Sequence, residues 1–240
     1  MSKQLRLDRY LSDMRIGTRS ELKGWIRNKR VEINGTICVK PEAKVVVGRD
    51  EVHFDGQLVE YQEYTYLMLH KPVGVVSATA DNLNKTVIDL VEDTLRKDLF
   101  PVGRLDKDTE GFLLLTNDGE LAHRLLSPKK HVDKVYYARV DGQVTVSDQE
   151  AFQIGVSIEE NYVTLPAKLD IITSGEVSEI ELTIHEGKFH QVKRMFEAVG
   201  KKVVYLKRLS MGGLILDPEL APGEYRRLTT QEIEYLKSLR

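Results

Sequence analysis

The chain has one cysteine, Cys38, among 240 residues, and it has no apolar stretch as long as a membrane span. A single cysteine excludes an intrachain disulfide and a zinc site built from several cysteines. A membrane-spanning helix needs about 20 consecutive apolar residues, so we expect no membrane partner. The first nine residues carry charges where a secretion signal would be apolar. These absences predict a soluble protein of a reducing cytoplasm.

Several common catalytic and nucleotide-binding motifs are also missing. The six histidines form no close pair at metal-ligand spacing, and neither a phosphate loop ending in Lys-Ser/Thr nor a Gly-x-Ser-x-Gly turn is present. We therefore expect no metal and no cofactor. Hydrophobic residues make up 41% and charged residues 30% of the chain, a balance typical of folded domains. The length suffices for one large or two modest domains.

The charge is small overall but unevenly distributed. The net charge is −2, whereas residues 1–30 contain nine basic and three acidic side chains, a local charge of +6. A basic end on a mildly acidic body indicates that one module binds a polyanion. The alternative from charge alone is a solvated helical face.

The basic region is predicted to form two short helices. Thr18 precedes Glu21 by three residues, which is the spacing of a capping box at a helix start. In this second helix Leu22 and Ile26 share one face, while basic side chains repeat every four residues on another. Such a row rises about 6 Å per step, comparable to the spacing of phosphates. The candidate RNA-binding residues of this region are Arg6, Arg19, Lys23, Arg27 and Arg30.

The remaining pattern predicts two domains, residues 1–60 and 61–240. Two hairpins with turns at Asn34-Gly35 and Asp55-Gly56 complete the first domain, the second hairpin unit spanning residues 45–59. In the second domain several strands follow one another without a helix, which favours a mixed α+β sheet over a doubly wound parallel one. The predicted strands are 66–69, 112–116, 135–140, 177–184 and 203–209, and the predicted helices are 87–95, 120–126, 148–154, 190–199 and 231–239.

A charged loop, residues 103–111, precedes the apolar strand 112–116. Loops held by rigid strands often carry functional sites. Asp106 stands between Arg104 and Lys107 in sequence, and a neighbouring cation would keep it ionised as a nucleophile or base. The alternative is a turn whose Asp and Thr side chains cap local backbone groups. The residues by themselves leave both interpretations open.

A second polar cluster spans residues 186–196 and is predicted to begin a helix whose N-terminal end could contact an anion. Lys193 and Arg194 project about 100° apart on a helix, so one could pair with a buried carboxylate while the other contacts RNA or solvent. The alternative is a surface helix with snorkelling cations. On the strand at 134–137, alternation places Tyr136 and its neighbour on opposite faces, one in the core and one able to stack on a base.

Together these segments resemble the pseudouridine synthases. Residues 103–119 match the signature loop of that superfamily, 134–136 its Lys-x-Tyr strand, and 186–195 its Glu-Gly-(Lys/Arg)-x-x-Gln segment; residues 71–74, Lys-Pro-x-Gly, also match. Residues 1–50 resemble the small RNA-binding domain named for a small-subunit ribosomal protein, the S-four type. The resemblance implies an α+β protein with that N-terminal domain and a larger catalytic domain built on a mixed, mainly antiparallel sheet.

The resemblance also implies site residues. Asp106 matches the essential catalytic aspartate, and Tyr136 matches the tyrosine that packs on the target uracil. Lys193 lies where the family usually carries an arginine partner of the aspartate; lysine offers a point charge instead of a bidentate fork, so the pair would be less rigidly oriented. Supporting or RNA-binding roles follow for Arg104, Lys188, His190 and Arg194.

Within the family, residues 186–195 resemble the RsuA-type branch, which modifies one uridine of 16S rRNA. The resemblance therefore implies isomerisation of a uridine to pseudouridine in 16S rRNA or in a small-subunit assembly intermediate. This reaction needs neither redox chemistry nor energy input, which agrees with the expected absence of metal and cofactor. The target nucleotide must be flipped into a pocket. Nothing in the sequence demands a second chain, so we expect a monomer.

Three other functions remain open at this point. The chain could modify large-subunit rRNA. It could be a non-catalytic RNA-binding or assembly factor, in which Asp106 would be dispensable. It could be a hydrolase, which for a glycosidic bond would need a second facing carboxylate, from Asp108 or Glu110.

Overall fold

The computed structural model describes residues 3–92, 98–127 and 130–239. The chain divides into two compact units, Met1–Tyr64 and Thr65–Arg240, each with its own hydrophobic core. The predicted division after residue 60 lies a few residues before this one. Among the described residues, no helix is long and apolar enough to cross a bilayer.

The described residues of the N-terminal unit form two helices and six short strands. They are β1 (Gln4–Arg6), α1 (Leu7–Asp13), α2 (Arg19–Arg27), β2 (Val31–Ile33), β3 (Thr36–Ile37), β4 (Lys44–Val46), β5 (Val52–Phe54) and β6 (Gln57–Leu58). Both hairpin turns form where predicted: Asn34, Gly35, Asp55 and Gly56 all have positive φ, as a two-residue hairpin turn requires. The strand order of the resulting sheet is β3-β2-β5-β6.

The second predicted hairpin unit, residues 45–59, is wrong in its first part. β4 does not join the hairpin of β5 and β6 but pairs antiparallel with β1 as a separate two-stranded sheet. The physical reason is a tight turn after β4. The Asp50 carboxylate accepts a hydrogen bond from the Val46 backbone N–H at 2.7 Å, and Gly48 adopts positive φ.

Helix α2 follows its sequence pattern closely. The Thr18 and Glu21 side chains form the predicted capping box at its start. Leu22 and Ile26 are fully buried against the core of the unit. The basic row on the other face, residues Arg19, Lys23 and Arg27, is exposed.

The C-terminal unit is built on a large sheet. Its strands are β7 (Tyr66–Lys71), β8 (Phe100–Pro101), β9 (Glu110–Thr116), β10 (Lys134–Asp141), β11 (Ser157–Glu159), β12 (Tyr162–Val163), β13 (Lys168–Thr173), β14 (Val177–Ile184), β15 (Lys202–Met211), β16 (Leu214–Ile215) and β17 (Tyr225–Arg227). Its helices are α3 (Gly119–Leu126), α4 (Val146–Ile154), α5 (Gln191–Ala198) and α6 (Thr230–Ser238).

Among the described residues, nine strands form one sheet in the order β13-β14-β10-β15-β9-β7-β17, with β16 beside β15 and β8 beside β9. The pair β15–β9 is parallel, and the other pairs of this sheet are antiparallel. This mixed, mainly antiparallel sheet confirms the predicted α+β class. Strand β9 is buried on both faces, as its apolar run predicts.

The predicted helix 87–95 is wrong in the part that the structure describes, and residues 93–97 lie outside the described residues. Only a 3₁₀ turn, Ile88–Leu90, forms there. The Asp89 carboxylate accepts hydrogen bonds from the backbone and hydroxyl of Thr86, which closes a single turn. Val91 is already extended, so the helix does not continue.

Candidate active site

The segment that carries Asp106, residues 103–111 (the aspartate loop), is held between two glycines. Gly103 and Gly111 have φ values of +77° and +110°, in the region that favours glycine. A Cβ on Gly111 would lie 2.3 Å from the Arg208 carbonyl oxygen, so the close approach of β9 to β15 requires glycine here. The contact between Gly111 and Arg208 therefore fixes the position at which the aspartate loop joins β9.

Two residues, one at the end of β7 and one after it, hold the aspartate loop in place through hydrogen bonds. The Ser77 hydroxyl accepts a hydrogen bond from the Leu105 N–H at 3.0 Å and donates one to the Leu105 carbonyl at 2.9 Å. The buried Lys71 ammonium donates to the Thr109 carbonyl at 2.7 Å. Ser77 and Lys71 thus fix the backbone on the two sides of Asp106.

The Asp106 carboxylate contacts a cation from α5. Lys193 Nζ lies 3.2 Å from Asp106 Oδ2 and 2.6 Å from Asp108 Oδ1, so one ammonium bridges two carboxylates. Burial alone would lower the pKa of Lys193, but the hydrogen bonds to Asp108 and Asp106 raise it above its ordinary value. The same ammonium lowers the pKa of Asp108. Lys193 therefore remains charged at neutral pH.

The sequence neighbours of Asp106 do not supply its cation. We expected Arg104 or Lys107 to do so, but Arg104 is exposed and Lys107 donates to the Asn84 side chain at 2.8 Å. His190 is nearer, with Nε2 3.7 Å from Asp106 Oδ1. Adjacent loop residues diverge, whereas α5 approaches the carboxylate from across the fold.

A network of hydrogen bonds shapes the turn that precedes α5. His190, directly before the helix, is in the left-handed region with φ of 51°. The Gln191 side chain accepts from the Lys188 N–H at 2.9 Å and donates to the buried Glu186 carboxylate at 2.9 Å. Glu186 also accepts from the Tyr162 hydroxyl, and burial followed by this carboxylate raises the pKa of Tyr162 to about 12.

Tyr136 lines the same cleft as Asp106. It is 7% exposed, whereas Tyr137 lies on the opposite face of β10, half-buried, with its ring centroid 5.9 Å from that of Tyr205. The cleft has a volume of about 640 Å³, within the range of small-ligand pockets. Its lining includes Asp106, Lys134, Tyr136, Glu186, His190 and Arg208.

Within the described ranges, no three His, Cys, Asp or Glu side chains are grouped so that they could hold a metal ion. A smaller cavity of about 250 Å³ lies between the end of α3 and α6. It is lined by neither Asp106 nor Tyr136. The larger cleft is therefore the candidate active site.

Residues 65–198 match the RNA pseudouridylate synthase family, and residues 5–51 match the S4 domain. The chain belongs to the RNA pseudouridylate synthases. It is 51% identical to an uncharacterized RNA pseudouridine synthase of Bacillus subtilis, over 97% of this chain and 98% of that one. It is 40% identical to the ribosomal small subunit pseudouridine synthase A of Escherichia coli, over 95% and 98% of the two chains.

A solved pseudouridylate synthase structure is similar over nearly the whole chain. It is 39% identical in sequence, with a TM-score of 0.68, and the match covers 97% of this chain and 99% of the other. The predicted family, fold and enzyme class are thereby confirmed. The protein is an isomerase that acts on RNA, and its N-terminal unit contains an S4 domain.

The synthase does not bring all of its predicted RNA-binding residues to the cleft. Arg104 and Lys188 line the cleft and are exposed, and Lys188 Nζ lies 4.2 Å from the centre of the Tyr162 ring. Arg194 points elsewhere: its guanidinium pairs with Glu159 at 2.7 Å. Of the two adjacent cations on α5, Lys193 contacts Asp106 and Arg194 pairs with Glu159.

In the S4 domain the predicted cations fall into two groups. Arg6 is paired with the buried Asp8 at 2.8 Å. Arg30 is paired with Asp55 and lies over the rings of Trp25 and Phe54. By contrast, the α2 row of Arg19, Lys23 and Arg27 makes no ion pair with any described residue.

Three cations that the structure buries, Lys71, Lys134 and Arg208, were given no role by sequence reasoning. Lys71 and Lys134 stand in segments that match the family, whereas Arg208 was not singled out. Burial lowers the pKa of both lysines to about 8. Lys134 stands two residues before Tyr136, so strand alternation could have placed it on the same face. No pattern in the sequence around Arg208 indicates that it is buried beside the cleft, because its surroundings come from three other strands.

Proposed function

We propose that this synthase converts a uridine of 16S rRNA to pseudouridine and that Asp106 is its catalytic carboxylate. The observation that carries the proposal is the Asp106 carboxylate in a cleft beside Tyr136, 3.2 Å from the Lys193 ammonium. The small-subunit target is supported by relatives of about 40% identity that are named ribosomal small subunit pseudouridine synthase A.

The residues supply what the isomerisation needs. The N1–C1′ bond breaks, the uracil turns, a C5–C1′ bond forms, C5 loses its proton and N1 gains one. Asp106 assists the first step as a nucleophile or base. Lys193 orients this carboxylate and shares its charge with Asp108. The Tyr136 ring gives the flipped uracil a surface to stack on, and Arg104, Lys188 and His190 contact the neighbouring nucleotides.

The two units have separate tasks in this proposal. The first, Met1–Tyr64, binds structured RNA through the α2 row, with smaller contributions from Arg6 and Arg30. The second, Thr65–Arg240, performs the reaction, with Arg194 in a supporting role. The protein acts as a monomer in the cytoplasm, on 16S rRNA or a small-subunit assembly intermediate.

The test is tritium release from rRNA labelled at uracil C5, with wild type compared with Asp106→Asn. Wild type is expected to release tritium from 16S rRNA, and the variant should be at least about 1,000-fold slower because it lacks the ionised carboxylate. RNA affinity, measured by filter binding, should change less than threefold. Substantial turnover by Asp106→Asn would refute the catalytic assignment.

Separate reactions with 16S and 23S rRNA test the target. Release from 23S rRNA alone would refute the small-subunit proposal and leave the role of Asp106 to be judged on that RNA. Mapping the modified position by reverse transcription then identifies the uridine.

A further inference from the structure

Arg208 is an arginine buried in the large sheet, and none of the carboxylates that the structure describes pairs with it. Its side chain is 2% exposed, and its Nε donates to the Phe112 carbonyl at 2.8 Å. Its Nη2 is buried and has no hydrogen-bond partner in the described part of the chain. An unpaired buried charge strongly destabilises a fold. Its presence therefore needs an explanation other than stability.

The register of the sheet places Arg208 beside Tyr136. Tyr136 pairs with Arg208 across β10 and β15, Arg208 with Gly111 across β15 and β9, and Gly111 with Lys71 across β9 and β7. Directly opposed residues of an antiparallel pair project to the same face, and Tyr136 and Arg208 both line the cleft. Gly111 has no side chain, so the row across these four strands is an aromatic ring, a guanidinium and an ammonium.

The positive charges of Arg208 and Lys134 are not paired with the carboxylates that the structure describes around them. Lys134, two residues before Tyr136, lines the cleft with Arg208, and burial and then the guanidinium lower its pKa to about 8. The carboxylates Asp106 and Asp108 are bridged by Lys193. Glu186 accepts hydrogen bonds from neutral donors. The floor of the cleft thus carries positive charge that described carboxylates do not pair.

We propose that Arg208, with Lys134 beside it, stabilises the negative charge that develops on the uracil when the glycosidic bond breaks. The proposal rests on the proposed function. As N1–C1′ breaks, its electron pair moves into the ring and is shared by N1, O2 and O4. A guanidinium that donates to a ring carbonyl binds this anion more tightly than neutral uridine, which lowers the barrier. The charge is consumed when C5 bonds to C1′, after which C5 releases a proton and N1 accepts one.

The depth of Arg208 favours the base over a phosphate as its ligand. A phosphate is fully charged before the reaction, and burying it here would remove most of its hydration. A planar uracil stacked on Tyr136 can reach the guanidinium with one carbonyl oxygen. Arg208 therefore has its largest effect on the rate of bond breaking and a small effect on RNA affinity.

The experiment compares Arg208→Met with wild type in single turnovers on rRNA containing uridine or 5-fluorouridine, using whichever rRNA the wild type modifies. The measured quantity is loss of the N1-linked nucleoside from nuclease digests, because 5-fluorouracil has no C5 proton to release and its reaction is followed only through breaking of the N1–C1′ bond. Fluorine withdraws electrons and stabilises the uracil anion by itself. We expect Arg208→Met to react about 100- to 1,000-fold more slowly on uridine RNA. The deficit should shrink at least tenfold on 5-fluorouridine RNA. Arg139→Met, which removes an exposed arginine from the other face of β10, is the matched control and should react normally.

Stability separates this role from a structural one. Replacing an unpaired buried charge with methionine should leave the urea midpoint unchanged or raise it. If Arg208→Met does not fold, Arg208→Lys and Lys134→Met replace it, with smaller deficits that fluorine again reduces. Equal deficits on both RNAs, or a loss of RNA affinity as large as the loss of rate, would overturn the proposal. Failure of wild type on every rRNA would instead refute the proposed function.

Discussion

The exposed cations of helix α2 and the buried cations of the large sheet look alike in the sequence but have different surroundings. Arg19, Lys23 and Arg27 face solvent on one side of a short helix. Lys71, Lys134 and Arg208 are at most 5% exposed within the sheet. Exposed cations attract a polyanion through long-range, salt-sensitive forces. Buried ones act at one point, where the low dielectric makes them strong.

Lys193 is partly buried, between the exposed and the buried cations. Of the replacements considered in this section, that of Lys193 should change the reaction rate most. Lys193→Met leaves Asp106 and Asp108 close together without their shared cation. We expect single-turnover pseudouridine formation about 100-fold slower, with RNA affinity nearly unchanged. Lys193→Arg keeps the charge and should recover most of the rate.

The control for this prediction is Lys201→Met. It removes another partly buried lysine, paired with Asp148 at 2.7 Å outside the cleft. This variant should lose stability but keep its single-turnover rate. Comparable rates for Lys193→Met and wild type would show that the bridge is not needed for the reaction.

The buried lysines differ from the exposed cations in a second way, because they make the free energy of unfolding depend on pH. A lysine whose folded-state pKa is about 8 binds fewer protons than the unfolded chain between pH 8 and its ordinary pKa of 10.5. Stability therefore rises with pH in this window. Lys134 alone should add about 2 kcal/mol to the free energy of unfolding between pH 7.5 and 9.5.

Urea unfolding of wild type and Lys134→Met at these two pH values measures this contribution. The rise between them should be smaller in the variant by that amount. Parallel pH profiles for the two proteins would contradict the lowered pKa of Lys134.

The α2 row should give the smallest effect, and that effect should be on binding. Changing Arg19, Lys23 and Arg27 together to Gln should weaken rRNA binding roughly tenfold at moderate salt. The slope of log affinity against log salt concentration should become shallower by about 2 to 3. Each lost phosphate contact removes about 0.7 to 0.9 from this slope. The single-turnover rate at saturating protein should not change.

A triple Gln variant of the exposed Lys40, Lys44 and Arg49 removes the same charge from the same domain. It should alter affinity and salt slope much less than the α2 variant. Equal effects of the two triples would mean that net charge, and not the row on α2, governs RNA binding.

Much of the local structure could be predicted because neighbouring residues decide it. The capping box at Thr18 and Glu21, and the one at Thr229 and Glu232, start helices at the predicted positions. The Asn34-Gly35 turn needs positive φ, which its residues tolerate. The predicted helix 87–95 failed where an equally local contact, Thr86 with Asp89, closed a single turn.

The pairing of charges could not be predicted by position in the chain. Asp106 was expected to meet Arg104 or Lys107, yet its cation, Lys193, is far along the chain. The family resemblance indicated Lys193 as a partner, but the bridge to Asp108 emerged only from the fold. Short strands such as β1 and β12 were missed because two or three residues give no readable alternation.

The sequence by itself determined the family, the α+β class, the outward row of cations on α2 and the loop that carries Asp106. Each of these features depends on residues that are adjacent in sequence or on a fixed helical or strand periodicity. The tertiary structure decided which cations become buried, because this depends on which strands pair. Arg208 lies beside Tyr136 and beneath the cleft only because β15 runs between β10 and β9, and no stretch of sequence around it records those neighbours.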